Sequence, residues 1–500
     1  MIDQGRIEAL REVVLDPVNF TTTILQHKVW DTPAAILREI DRPRARVAVK
    51  ACHASSKTFT AADVVLFMLA KHRLVKVVTT APTWHQVETL LWGEIHKAVS
   101  TSRIAFPVPQ TTKMEVKKGA RFAEGLSTRE AVRFQGYHAD EDGVALIILD
   151  EAPGVSPAIF EAIEGIRAGG DVRVLALGNP TIASGPFYDA FTSQRASWRT
   201  FTIDAFDTPN LRGVTIDDLL LWARLEQSGT EEERREAASE LDYAPRPYLI
   251  TRRWVLEKYH DWGPNHPLYQ SRVRGQFPRQ SEDALLSLDW VEQAGYREPV
   301  DNRGPIAGGI DVAGPGEDET GLMLRSGQSI IHAQFWPEHD PRGALAAALA
   351  PHRPRIQVLN VDSAGIGYYL GLHLADLGYP VRLVNVGVKS VAVDEMGDPK
   401  FANLKAELYW MLRAIFEEGA INGGVLLDET AKAQLCSIRY DHDSRGRVVI
   451  ESKDDMRKRG VKSPDRAETL MLTFTTPLEA SVQTEQMVPD VDRVRIGVSV

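Results

Sequence analysis

Carboxylates recur in this sequence at the ends of apolar runs, where desolvation penalises a charge unless it binds something. Asp150 and Glu151 close "ALIILDEA". Asp311 closes "GGIDVAG", and Asp362 closes "VLNVD" just before "SAGIG". Asp465 opens the helical run "DRAETLMLTF" behind Pro464, with Glu468 one turn further along the same face. Hard divalent cations prefer oxygen ligands. Asp311, Asp362 and Asp465, with Glu468 beside them, suit paired Mg²⁺ or Mn²⁺ ions about 4 Å apart, which clamp the attacking and leaving oxygens of a phosphodiester. Taken singly, each of these residues equally fits a helix cap or a turn.

The Asp150–Glu151 pair has a different companion. "KACHASSKTFTAADVV" follows a strand-like run and opens a helical one, so backbone N–H groups and a helix N-terminus point into the connecting loop. Ser55 and Ser56 lie in that loop, Lys57 would reach the β and γ phosphates of ATP, and Thr58 would offer its hydroxyl to Mg²⁺. Asp150 would hold that ion through water, and Glu151 would orient or deprotonate the attacking water. "ALGNPT" ends another strand with Asn179 and Thr181, polar groups able to sense the γ-phosphate. Lys50 is an extra cation before the loop. The phosphate-loop consensus has glycines where this chain has Ala51 and Ser56. Their replacement is expected to be tolerated because the loop needs no positive φ there.

Basic residues gather just before Asp465: Lys453, Arg457, Lys458, Arg459, Lys462 and Arg466 in "ESKDDMRKRGVKSPDR". Such a run is usually a solvated face, but here it also offers counter-charge to a DNA backbone.

These residues need a scaffold. "RVAVKA", "LVKVVTTAP", "VALIILDEA" and "VRVLALGNP" alternate with helical stretches, which predicts α/β structure with a parallel sheet and functional loops at the strands' C-terminal ends. The expected organisation is a helical lead-in at 1–45, a P-loop core at 46–209, a helical lid and linker at 210–298, a second strand-rich domain at 299–480 and a tail at 481–500. With 500 residues, 43% hydrophobic and 25% charged, the composition is that of a soluble multi-domain protein. A net charge of −10 argues against a nucleic-acid coat protein, though not against an enzyme with one basic channel. Two cysteines exclude a disulfide framework. No membrane-spanning run or signal-peptide core is visible, and a reducing cytosolic setting is expected.

The order of these motifs resembles that of the large terminase subunits of tailed bacteriophages. "VAVKACHASSKT", "VVTTAPTWHQVETLLWGEI", "LIILDEAPGV", "LALGNPT", "PLYQSRVRGQFP", "GIDVAGPGEDET", "NLKAELYW" and "ESKDDMRKRGVKSPDRAETLMLTF" carry the resemblance. It implies a P-loop (ASCE, RecA-like) ATPase followed by an RNase H-like nuclease, in a motor that drives double-stranded DNA into a procapsid and cuts concatemers. ATP with Mg²⁺ and nuclease Mg²⁺ or Mn²⁺ would be its cofactors. A portal protein, a small terminase subunit and further copies in a ring would be its partners, in the host cytoplasm and with no membrane. The resemblance also implies an arginine finger, with Arg129 and Arg133 as candidates. The chain departs from the family in its glycine-free loop, in Pro33 where an adenine-contacting glutamine is expected, and in "PDRAE" where "PDRAD" is common. Glu468 is therefore expected either to support the metal ligands or to replace one. A helicase joined to a repair nuclease would need a second RecA-like domain. A decayed portal-docking protein would not need Lys57, Thr58, Asp150 and Glu151 together. A recombinase or integrase would leave the ATPase motifs unexplained.

Overall fold

The computed structural model describes residues 13–475, apart from 128–130, 135, 279–282, 314–317, 338–340 and 394–396. The chain forms two compact units, Met1–Gln280 and Ser281–Val500. The expected tail at 481–500 and Arg129 lie outside the described residues.

The first unit is built on a seven-stranded sheet. Its strands are β1 (Arg46–Ala51), β2 (Val75–Thr80), β3 (Lys113–Lys117), β4 (Arg121–Gly125), β5 (Val144–Leu149), β6 (Asp171–Gly178) and β7 (Arg199–Ile203), in the order β3-β4-β2-β5-β6-β1-β7. Only the β3–β4 pairing is antiparallel. The six residues of β5 are all buried and apolar, as a strand covered on both faces requires. Register places Lys50 opposite Gly178 and Leu149 opposite Ala176. The carboxyl ends of β1, β5 and β6 therefore meet at one edge, with β6 between the loop strand and the carboxylate strand. Cys52 is buried just past β1.

Residues 210–278 are helical where described, with helices Ile216–Ser228, Glu231–Leu241, Arg252–Trp262 and Pro267–Arg272. The first two start sharply because Thr215 with Asp218, and Thr230 with Glu233, form capping boxes. No second RecA-like sheet is found among these described residues.

The second unit has a five-stranded sheet of β8 (Ile306–Asp311), β9 (Thr320–Ser326), β10 (Ser329–Trp336), β11 (Ile356–Asp362) and β12 (Val381–Val384), ordered β10-β9-β8-β11-β12. The first three form an antiparallel meander, and β11 and β12 run parallel to β8. That order and sense agree with the RNase H-like arrangement expected of this unit. A separate hairpin pairs β13 (Tyr440–His442) with β14 (Val448–Ile450). Helix Leu288–Tyr296, counted with the linker on sequence, packs into this unit, and its Glu292 pairs with Lys432 at 3.2 Å. Helix Asp465–Phe474 lies across β8 and β9, where Gly309 lets the backbones touch. A Cβ there would stand 2.4 Å from Thr469 O and from Thr473 N. Cys436, the other cysteine, is also buried.

Two candidate carboxylate centres

In the first unit the loop between β1 and helix Lys57–Lys71 adopts a shape that the sequence reading did not anticipate. Ala54 has φ +46° and Ser56 φ +70°, so positive φ occurs in the loop and at one of the two consensus glycine positions. Ala51, the other, closes β1 and pairs in register with Ile203. The expectation that neither position needs positive φ therefore holds at 51 and fails at 56. What holds the left-handed turn is tertiary. Cys52 N donates to Ile203 O at 2.8 Å, His53 N to Arg272 O at 2.7 Å, and Ile250 N to Ala54 O at 3.1 Å.

Lys57 Nζ lies 2.9 Å from Glu151 Oε1 and donates to Asn179 Oδ1 at 3.1 Å. Asn179 in turn donates Nδ2 to Ala51 O at 2.6 Å, tying β6 to the loop strand. The Thr58 hydroxyl bonds to Asp150. Burial, and then repulsion from Glu151, push the Asp150 carboxyl up to about 6. Burial also works to raise Glu151, but the Lys57 ammonium outweighs it and holds the carboxyl below its usual range. The hydroxyls of Ser55 and Thr181 are buried with no hydrogen-bond partner among the described residues. Orphaned hydroxyls, a lysine and a helix N-terminus around one loop fit a polyphosphate, and the adjoining Thr58–Asp150 pair fits its divalent ion.

Lys50 turns to Gln276 Oε1 at 2.5 Å and lies over the Phe277 and Phe191 rings. Arg133 reaches Glu124 at 3.4 Å. Two residues that sequence reasoning missed come from "QSRVRGQF". Gln276 holds Lys50, and buried Arg272 holds the loop through its carbonyl while its charge lowers Glu151. Neither carries a local sequence signal, because the groups they hold lie about 220 positions away along the chain.

In the second unit Asp311, Asp465 and Glu468 are buried and present carboxylate oxygens within 4.8 Å of one another. Burial and then the neighbouring Glu468 push Asp311 well above the usual carboxylate range. Lys453 Nζ stands 2.7 Å from Glu468 and 3.7 Å from Asp465, and Lys405 Nζ 2.6 Å from Glu468. Burial would raise Glu468, but these two lysines hold it low. Asp465 is oriented by the Ser463 hydroxyl and by Glu319 N at 3.0 Å. Asp362 is outside that group, with its carboxylate bonded to Ala364 N at 3.0 Å, yet close enough to feel Glu468, Lys453 and Lys405. A buried set of three hard oxygen donors fits a divalent cation.

The basic run divides. Lys453 faces the carboxylates, Arg459 pairs with Glu451, and Arg466 pairs with Glu319 and Asp428. Arg457 and Lys458 are exposed and pair with Asp454 and Asp455 one turn back. Lys405 and Tyr409, from "NLKAELYW", were missed as neighbours of the cluster. The Tyr409 hydroxyl is buried with no hydrogen-bond partner among the described residues, near the charges of Glu468, Asp311 and Asp465.

No family model matches the chain. Over 351 residues it is 28% identical to a probable terminase large subunit of Enterobacteria phage P7, an alignment covering 67% of this chain and 63% of that relative's length. Among solved structures it is similar to the nuclease domain of the large terminase subunit of bacterial virus Sf6. That match has 18% identity and a TM-score of 0.34, and it covers 39% of this chain and 99% of the other. A second similar structure is the large terminase ATPase domain of Thermus phage P74-26. There the identity is 18% and the TM-score 0.32, with 44% and 97% of the two chains covered.

Proposed function

We propose that this relative of phage large terminase subunits is a DNA-packaging motor in which one unit hydrolyses ATP and the other cuts DNA. The observation that carries this reading is the contrast between the two carboxylate centres. Asp150 and Glu151 share their site with a loop lysine and a helix N-terminus, the equipment of phosphate binding. Asp311, Asp465 and Glu468 have no such loop and converge from β8 and one helix.

In the first centre the loop N–H groups and Lys57 would bind the phosphates, Thr58 and Asp150 would hold Mg²⁺, and Glu151 would receive the proton of the attacking water. Mg²⁺ neutralises charge on the phosphate oxygens when bound. Asn179, bonded to Lys57 and to the loop strand, would report the loss of γ-phosphate to β6, and Thr181 would be its neighbour in that sensing. Arg133 is the described candidate for an arginine finger.

In the second centre Asp311, Asp465 and Glu468, with Asp362 at the rim, would hold Mg²⁺ or Mn²⁺. Such ions polarise the phosphodiester and generate hydroxide when bound. Lys405 and Lys453 would balance charge, and exposed Arg457, Lys458 and Lys462 would meet the DNA backbone. Double-stranded DNA, a portal protein, a small terminase subunit and a ring of copies are the proposed partners, and the host cytoplasm the proposed site of action.

The test is plasmid cleavage and ATP turnover measured on the same preparations. Lys57→Ala is expected to lose turnover and keep cutting, and Asp311→Ala to do the reverse. Intact turnover in Lys57→Ala would remove the loop from the nucleotide site.

A further inference from the structure

Three segments far apart in sequence bring aromatic rings to the first turn of helix Lys57–Lys71. Phe59 directly follows Thr58. The His27 ring lies 4.3 Å from it, and the Tyr248 ring 6.5 Å away on planes only 29° apart. Two of the three rings are anchored by hydrogen bonds. His27 Nδ1 is 2.7 Å from the buried Asp63 carboxylate, and the Tyr248 hydroxyl donates to Lys28 O at 3.3 Å. Tyr248 is nevertheless 51% exposed, so a well-anchored aromatic face stays open beside the loop.

We infer that Phe59 and Tyr248 are the stacking platform for the purine base of a nucleotide whose phosphates lie in the 52–56 loop. This deepens the ATPase reading and rests on it. The position fits, because a base must lie beyond the α-phosphate, and Phe59 is the first side chain past the phosphate-binding Lys57 and Thr58. The spacing comes close. A flat ring held between two others needs about 7 Å, twice the carbon contact distance, and the Phe59 and Tyr248 ring centroids are 6.5 Å apart, so admitting a base asks the exposed Tyr248 ring to move outward. Stacking of this kind is tolerant of ring identity and needs no side-chain amide to read the base.

The platform is also wired to the loop. Buried Asn210 donates Nδ2 to Arg246 O, Leu249 O and Ile250 O at 2.9, 3.3 and 3.0 Å, fixing the turn that carries Tyr248. Ile250 N from that turn bonds Ala54 O at 3.1 Å. The helical 210–278 segment thus holds the base platform and the strained phosphate loop through one turn, so a ligand that fills both would draw them together.

The test is calorimetric binding of ADP and of inorganic pyrophosphate to the full chain and to Tyr248→Ala, Phe59→Leu and Tyr248→Phe. Support would be ADP affinity weakened roughly 5- to 100-fold by the first two changes, the range a stacked base commands, with pyrophosphate affinity unchanged and Tyr248→Phe close to wild type. Unchanged ADP affinity in Tyr248→Ala overturns the inference, as does an equal loss of ADP and pyrophosphate, which would trace the effect to the loop. If the wild-type chain binds neither ligand, the nucleotide reading fails first and takes this inference with it.

Discussion

Lys57 Nζ and Glu151 Oε1 are 2.9 Å apart, so the cation at the head of the loop helix and the carboxylate after β5 neutralise each other in a buried setting. Incoming phosphate would compete for that lysine and free the carboxylate. Glu151→Gln keeps the shape and removes the base. ATP turnover should fall by about 10²- to 10⁴-fold, the range of a general base, while ADP binds at least as tightly as to wild type. Steady-state phosphate release checks this, and near-normal turnover would remove Glu151 from the reaction.

The glycine-free loop makes a prediction of opposite signs. Ser56 sits at φ +70°, where an L-residue is disfavoured, whereas Ala51 closes a strand. Ser56→Gly should stabilise the protein by a few tenths to about 1 kcal/mol. Ala51→Gly should destabilise it by about 0.5–1 kcal/mol. Urea midpoints read both, and shifts of the same sign would contradict the loop geometry.

Asp63 gives a pH signature. Burial pushes its carboxyl from 3.8 up to about 6, only partly offset by the bond to His27. Between those values the folded chain holds more protons than the unfolded one. Its contribution to stability is therefore complete below about pH 4 and is lost as pH rises through 6, by up to about 3 kcal/mol. Asp63→Asn does not titrate. The urea midpoint of wild type relative to that variant should decline from pH 4 to pH 7, and a constant difference would refute the shift.

Gly309 should be irreplaceable even by alanine. A methyl group 2.4 Å from Thr469 O and Thr473 N must push helix Asp465–Phe474 off β8, taking Asp465 and Glu468 away from Asp311. Gly309→Ala is expected to cost about 1–3 kcal/mol. Mn²⁺ is expected to raise the melting temperature of wild type, and this variant should lose that rise while any ATP turnover persists. A normal Mn²⁺ shift in this variant would separate the metal centre from that helix contact.

The elements nearest the chemistry were the most legible in sequence. β1, β5, β6, β8 and β11 are apolar runs that stop at a functional group, and the structure puts each where the pattern placed it. The β3–β4 hairpin, edge strand β7 and hairpin β13–β14 escaped, because half-exposed strands such as "KMEVK" lack a continuous apolar run. Asp311, Asp362 and Asp465 were readable as strand-end and helix-start carboxylates with Glu468 beside them, but the structure groups Glu468 rather than Asp362 with the other two, and the lysines beside that group were not readable. Lys405 carries no local signal, since its partner is 63 positions away. The same holds for Gln276 on Lys50 and Ile250 on Ala54, contacts made by the tertiary fold alone. The positive φ at Ser56 was hidden for that reason, since the bonds that enforce it come from distant segments.

The two buried cysteines have a practical consequence. Cys52 and Cys436 are the only thiols in the chain, and burial raises the Cys52 pKa well above its ordinary value, which keeps it a protonated, poor nucleophile. The natural sequence is thus nearly silent to maleimide reagents. One engineered surface cysteine in each unit, for instance at exposed Glu231 and at exposed Glu417, would give a pair of dye positions with no native residue to remove. Distances between the two units could then be followed by fluorescence with and without added ATP.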